Sequence, residues 1–394
     1  MANDICVKLI HRHPHVFGDV FADTPEKVLS NWEKIKSEEK ERVTVTDKLK
    51  AIPPMLPALM RAQKVGKKAA CFDFGDKEAV MDKVCEELCE LNEATLEKIY
   101  PTKVQETAKA PETFNFEAKS VAAPAIKCAK PRVLIPVFPG TNCEYDSARA
   151  VVEAGGIADI AVIRNLTADD VARSVEDIAA RIKDSQIIFI PGGFSGGDEP
   201  DGSAKFITAF FRNPAIKAEV SELLDSRDGL MCGICNGFQA LIKLGLVPYG
   251  KIIDTDENCP TLTYNTIARH QSKIVRTRIA SNMSPWLQGV QVGDIINVAI
   301  SHGEGRFLAS DELVAELKKN GQIATQYVDL DGNPTMDTAF NPNGSVCAIE
   351  GITSPDGRVF GKMGHSERIG AGLYKNVAGQ YDIRMFESAV KYFK

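Results

Sequence analysis

Gly233-Ile234-Cys235-Asn236-Gly237 sets a cysteine between two glycines, directly after the apolar run 229–234. Glycines on both sides let the backbone turn sharply from strand to helix, so the thiol would stand above a sheet edge with the next N–H free to receive an oxyanion. A buried cysteine by itself is ordinary core material. Two further segments change its meaning. Pro191-Gly192-Gly193-Phe194-Ser195 follows the strand-like run 186–190, and His365-Ser366-Glu367 follows the strand-like run 359–363. An imidazole close to a thiol at a helix N-terminus stabilises the thiolate, and a carboxylate two residues beyond it would hold the imidazole in the useful tautomer. Cys235 therefore reads as a nucleophile, His365 as its base and Glu367 as the orienting carboxylate, with the N–H groups of Gly193 and Asn236 as oxyanion donors. The chemistry this describes is acyl transfer through a thioester.

Cys232 and Cys235 also form a lone C-x-x-C. A structural zinc would need a second such pair, and a thioredoxin-type pair would open a helix, whereas Cys232 falls inside the strand-like run.

The elements that must position these residues alternate. From residue 132 onward, short β-rich runs (132–138, 157–164, 186–190) alternate with helical stretches: 142–154, a helix capped by Thr167 with Asp169 and Asp170 in its first turn, and 236–244. That alternation predicts an α/β fold, a doubly wound and mostly parallel sheet covered by helices. Ligands in such sheets bind at the carboxyl ends of the strands, where the three loops fall. The first hundred residues read instead as a small all-α segment. Thr24-Pro25 marks a helix start with Val28, Trp32 and Ile35 on one face, a second stretch covers about 56–70, and a third begins near Asp76. Between 101 and 130 the composition turns to Ala, Lys, Pro and Thr without periodicity, as in a linker. The expected organisation is a helical segment 1–100, a linker 101–130 and an α/β domain 131–394.

At 394 residues, with 44% hydrophobic content, the chain has room for two or three domains. A formal charge of −6 gives no electrostatic footprint for nucleic acid. Neither a run of about 18 apolar residues nor a signal pattern occurs, and ten cysteines without a secretory signal read as reduced thiols. A cytoplasmic enzyme without nucleic-acid or membrane partners is expected.

The elbow G-I-C-N-G-F-Q, the loop P-G-G-F-S-G-G-D and the set Cys235, His365 and Glu367 resemble a class I glutamine amidotransferase. Pro139-Gly140-Thr141-Asn142-Cys143-Glu144, Ser301-His302-Gly303-Glu304-Gly305-Arg306-Phe307 and Met363-Gly364-His365-Ser366-Glu367-Arg368 narrow the resemblance to the glutaminase domain of phosphoribosylformylglycinamidine synthase. It extends over about 94–394, since Leu96-Glu97-Lys98-Ile99-Tyr100-Pro101-Thr102 also looks like the segment preceding that domain. The resemblance implies that glutamine is hydrolysed at Cys235 and that ammonia passes to a synthetase using ATP and formylglycinamide ribonucleotide in purine biosynthesis. It also implies a glutamine pocket lined by Phe194, Ser195, Asn236 and Gln239, with His302 in a pocket or docking loop and no cofactor in this domain. His302-x-Glu304 has the same format as His365-x-Glu367, but the family puts the base near the domain's end. Gly364 and Ser366 stand where many relatives have prolines, a change in loop stiffness more than in chemistry. ATP and magnesium belong to the synthetase part, which the first hundred residues do not resemble. The chain alone is therefore expected to be a weak or silent glutaminase until a synthetase partner binds.

Residues 12–20, 31–33 and 56–64 resemble part of the all-α nucleoside triphosphate pyrophosphohydrolases of the MazG type. Glu86, Glu87 and Glu90 would then be the first half of a magnesium site, because carboxylates at i and i+4 project together. A solvated acidic helix face has the same spacing, and the second acidic motif of that family has no counterpart after Glu97. His11, His13 and His15 lack supporting cysteines and read as structural or phosphate-near. The two resemblances meet near 89–94, as in a fusion or a fragment. Two rival readings follow: a magnesium-dependent nucleotide pyrophosphohydrolase acting through the N-terminal helices, or a non-catalytic subunit that docks on a synthetase.

Overall fold

The computed structural model describes residues 11, 14–17, 27, 35, 110–121, 123–194 and 203–394. The chain divides into two compact units, Met1–Glu93 and Ala94–Lys394. In the first, the described residues include a single helical turn, Pro14–Phe17. Lys27 and Ile35, within the first expected helix, are helical; the rest of that helix, the two helices expected after it, the expected metal carboxylates Glu86, Glu87 and Glu90, and the imidazoles of His13 and His15 lie outside the described residues.

The second unit opens on strand β1 (Arg132–Val137), whose four central residues are all buried. An unbroken apolar run of this kind suits a strand covered on both faces. Helix α1 (Glu144–Glu153) leads to β2 (Ile157–Val162). Helix α2 (Ala168–Asp184) begins where Thr167 accepts the N–H of Asp170, and Asp169 and Asp170 in its first turn complement the helix dipole. Then come β3 (Ile187–Ile190), α3 (Lys205–Phe211) and α4 (Pro214–Asp225), the last capped by Asn213 with proline at its first position. β4 (Leu230–Ile234) runs through the elbow into α5 (Asn236–Leu244), which stops at Gly245 in the left-handed conformation.

The remaining strands are β5 (Thr261–Tyr264), β6 (Gln271–Ile279), β7 (Ile295–His302), β8 (Glu304–Leu308), β9 (Ile323–Tyr327), β10 (Ile349–Thr353) and β11 (Val359–Lys362). Helix α6 (Asp311–Lys319) precedes β9, and α7 (Met385–Tyr392) ends the chain.

Among the described residues, nine strands form one sheet in the order β2-β1-β3-β4-β11-β10-β9-β6-β7, and β5 pairs with β8 separately. The five strands from β2 to β11 are mutually parallel, as the alternation predicts. Beyond β11 the sheet continues antiparallel through β10, β9, β6 and β7. Strand–helix alternation does not announce this half, because β6 to β7, β9 to β10 and β10 to β11 are joined without an α-helix and antiparallel neighbours need no crossover.

The described part of the segment expected as a linker lies along this unit. Phe114 is buried in the main core, its N–H donates to Gln326 Oε1 at 2.9 Å, and Phe116 bridges to Ser281. Farther on, the N–H of Cys128 donates to the carbonyl of Phe393 at 2.7 Å.

Candidate active site

Three adjacent parallel strands bring the suspect loops together. Ile190 of β3 lies beside Gly233 of β4, and Gly233 lies beside Gly361 of β11. The P-G-G loop, the elbow and the His365 loop therefore leave the sheet at the same level, at its carboxyl edge.

The elbow is held tightly. Cys235 has φ 54° and ψ −107°, a conformation costing a non-glycine residue about 1–3 kcal/mol, which persists only where its surroundings enforce it. They do so here. A methyl group at Gly237 would collide with the carbonyl of Ile190, and one at Gly233 would meet the backbone of Gly237 at 2.5 Å. Both glycines are thus required by close packing of α5 on β3 and β4. The N–H of Cys235 donates to the carbonyl of Lys362 at 2.9 Å, tying the elbow to the end of β11.

His365 is buried, and its Nδ1 lies 2.6 Å from Glu367 Oε1. Burial works to raise the Glu367 pKa. The attraction of His365 and their hydrogen bond outweigh it, so the carboxyl sits below its usual value. An ionised carboxylate only accepts, so Nδ1 carries the proton and Nε2 is left as the basic nitrogen. Among the described residues, that buried Nε2 has no hydrogen-bond partner. Gly192 leaves room for the ring, since a methyl group there would come within 2.7 Å of His365 Cε1.

The Cys235 thiol is not ionised in advance. Burial pushes its pKa up, and Cys143 and Glu367 add to the rise, while the Asn236 N–H and Arg368 work the other way. The expected thiolate would therefore have to form as its proton leaves for a base. The carbonyl of Ser301 lies 3.9 Å from Cys235 Sγ.

Of the expected oxyanion donors, Asn236 lies in the elbow and Gly193 in the loop that follows β3. Gly193 faces Thr141 in an isolated bridge whose hydrogen bonds come from the N–H groups of Asn142 and Phe194, so the Gly193 N–H stands outside that pairing. The Asn236 N–H is near enough to Sγ to favour the thiolate.

Of the expected pocket residues, Phe194 is 45% exposed and its ring lies 6.1 Å from that of His270. Ser195 lies outside the described residues. Gln239 is interior, donating to the carbonyl of Glu304 at 2.5 Å and accepting from Asn236 at 2.9 Å. His302 is buried at the end of β7, where its Nε2 meets Asn343 Oδ1 at 2.7 Å. Burial lowers its pKa to about 3, aided by the charges of His365 and His270 and opposed by the bond to Asn343. Glu304 uses Oε2 to accept the N–H of Ser203 at 3.1 Å. His302 and Glu304 thus turn to other partners and do not form the imidazole–carboxylate couple that His365 and Glu367 make. Cys232 is buried within β4, and both it and Cys235 are free thiols.

Two neighbours of the imidazole carried no assigned role in the sequence. Cys143 Sγ lies 3.8 Å from His365 Nδ1, and Arg368 Nη2 donates to that sulfur at 3.0 Å. Burial, with Glu367 adding, pushes the Cys143 pKa up to about 11. Both residues stand in motifs quoted above, but 225 positions separate them and nothing local announces the contact. Cys143, His365 and Glu367 present ligand atoms within 4.8 Å of one another. The Arg368 charge beside the sulfur and the commitment of Nδ1 to Glu367 make this group a poor cation site. Among the described residues, no helix is long and apolar enough to cross a membrane.

Residues 130–393 match the CobB/CobQ-like glutamine amidotransferase domain family. Phosphoribosylformylglycinamidine synthase subunit PurQ of Methanococcus maripaludis strain C7 is 33% identical over 284 residues, covering 67% of this chain and 97% of that subunit. PurQ of Acaryochloris marina is 35% identical over 232 residues, covering 59% of this chain and 85% of its own length. Among solved structures, PurLQS from Thermotoga maritima aligns with 67% of this chain and all of the matched chain, at 25% identity and a TM-score of 0.48.

Proposed function

Because this chain belongs to the CobB/CobQ-like glutamine amidotransferases and, within them, to the family of phosphoribosylformylglycinamidine synthase PurQ subunits, we propose that it is the glutaminase component of such a synthase. In this reading Cys235 Sγ attacks the side-chain amide carbon of glutamine while its proton passes to His365 Nε2. The developing oxyanion is received by the N–H groups of Gly193 and Asn236. Collapse of the tetrahedral adduct expels ammonia, protonated by the imidazolium, and leaves a glutamyl thioester on Cys235. Water, activated by the same imidazole, then releases glutamate and restores the thiol. Glu367 holds the ring and stabilises its charged form. The ammonia is consumed in ATP-dependent amidation of formylglycinamide ribonucleotide by a synthetase partner.

The observation carrying this reading is the His365–Glu367 couple, at 2.6 Å, in the loop that follows β11, the strand paired with β4 and its Cys235 elbow; among the described residues His365 Nε2 has no hydrogen-bond partner. His302 Nδ1 and Glu304 Oε1 are likewise buried without partners among the described residues. Buried polar atoms are ordinarily satisfied, and in this reading a polar substrate supplies the partners. Phe194, Ser195, Gln239 and His302 remain the proposed glutamine contacts.

The test is glutamate release from glutamine, with and without a separately supplied synthetase, by wild type and Cys235→Ala. Activity stimulated by the synthetase and absent from the variant is expected. A folded wild type that releases no glutamate under either condition overturns the reading.

A further inference from the structure

Lys362, the last residue of β11, carries its ammonium in the protein interior, 3.2 Å from Glu350 Oε1, with the two side chains 1% and 0% exposed. Two charges removed from water are costly, and their mutual attraction commonly does no more than offset that cost. Stability is therefore a weak reason for the pair. Its local contacts offer a better one. Glu350 Oε1 accepts the N–H of Gly364 at 2.6 Å, and Lys362 Nζ donates to the carbonyl of Gly364 at 3.0 Å and to Ser366 Oγ at 3.1 Å. Glu350 is itself fixed, since Oε2 accepts the hydroxyl of Thr325 at 2.5 Å.

The residues on either side of His365 are thus gripped by one ion pair. Neither helix nor strand fixes this stretch, and the N–H of His365 makes a single backbone contact, to the carbonyl of Ala299 at 2.8 Å. Lys362 also holds the other half of the site, because its carbonyl accepts the N–H of Cys235. Where a proline would stiffen such a loop covalently, Gly364 and Ser366 are stiffened by buried charge-assisted hydrogen bonds.

We infer that the Lys362–Glu350 pair is a positioning device, which fixes the peptide planes around His365 and so aims its imidazole between Glu367 and the Cys235 elbow. Neither residue is assigned contact with substrate. The kinetic consequence rests on the glutaminase reading proposed above.

The experiment compares wild type, the double variant Glu350→Leu with Lys362→Met, and Ser366→Ala, each assayed with the synthetase partner present. Replacing both charges by apolar side chains of similar volume leaves no uncompensated buried charge but strips Gly364, Ser366 and Thr325 of hydrogen-bond partners, so the double variant is expected to fold and to melt below the wild-type temperature. Its kcat for glutamate release is expected to fall roughly 10- to 100-fold, with KM within about threefold, because a misaimed base impairs the chemical step more than binding. Ser366→Ala, which removes one grip and no charge, is expected to fall in the same sense by about threefold.

The second readout needs no turnover: the downfield proton resonance of the His365–Glu367 hydrogen bond, identified by its loss in His365→Ala. It is expected to shift or broaden in the double variant. A double variant with wild-type kcat or an unchanged resonance overturns the positioning role. If the double variant fails to fold, an unchanged kcat and resonance in Ser366→Ala overturns it. If wild type itself releases no glutamate, the glutaminase reading fails, and the resonance alone decides the positioning role.

Discussion

The backbone N–H of Cys235 donates to the carbonyl of Lys362 at 2.9 Å, so the elbow and the loop bearing His365 begin from one shared hydrogen bond. Their relative placement is a property of the β4–β11 pairing. Whatever disturbs that pairing moves the thiol and the imidazole together with the sheet, whereas the contacts around Gly364 move only the imidazole.

The left-handed φ of Cys235 predicts an unusual order of stabilities. At most positions alanine is preferred to glycine, because glycine loses more chain entropy on folding. At φ 54° glycine relieves strain, so Cys235→Gly should be at least as stable as Cys235→Ala, by up to about 1 kcal/mol. Urea denaturation of the two inactive variants checks it. A Gly variant clearly less stable than the Ala variant would mean that the elbow is unstrained.

Glu367→Gln keeps a side chain of the same shape but removes the charge that fixes the Nδ1–H tautomer. Glutaminase kcat should fall by about 10²- to 10⁴-fold with little change in melting temperature. The Glu367 carboxyl lies below its usual value, so in wild type it should not account for an acidic limb of the kcat profile in the ordinary carboxylate range. Such a limb abolished by Glu367→Gln would contradict this assignment.

His302 supplies a pH dependence of stability whose sign is fixed. Its pKa is about 3 in the folded protein, against 6.5 for the free side chain. Between those values the unfolded chain binds the extra proton and the folded chain does not. Stability from this group is fully present above about pH 6.5 and is lost as pH falls toward 3, at up to about 1.4 kcal/mol per pH unit. The difference in unfolding free energy between wild type and His302→Gln, measured from pH 7 to 4, should carry that slope. A pH-independent difference would show that His302 titrates alike in both states.

Phe114 belongs to the core of the second unit, so a chain beginning at residue 110 should be more stable than one beginning at 131. The loss of Phe114 burial alone is worth about 2 kcal/mol, and Gln326 loses its contacts to the Phe114 N–H and the Glu112 carbonyl. Melting temperatures of the two fragments decide it, and equal values would place the 110–130 segment outside the cooperative unit.

How far the sequence reaches differs from element to element. The elbow was legible because its signals are local: an apolar run ending in G-x-C-x-G has few conformations, and α5 spans 236–244 as the pattern predicts. The Thr167 cap and the parallel strands β1 to β4 were legible for the same reason, since caps and apolar runs act over a few residues. That His365 and Glu367 follow a strand was visible too, and their pairing needs only two residues of chain.

What tertiary structure decided depends on contacts across long separations. The antiparallel half of the sheet, with Ala299 and Ser301 of β7, comes to the site only because β6, β9 and β10 pair in one particular order. Arg368 on Cys143, Asn343 on His302, and Glu350 on Lys362 are side-chain choices made after the backbone has closed. In the sequence, His302-x-Glu304 and His365-x-Glu367 share one format. They part because His302 meets an amide in the interior and His365 meets its own carboxylate, and a residue's partner is set by what the fold buries beside it.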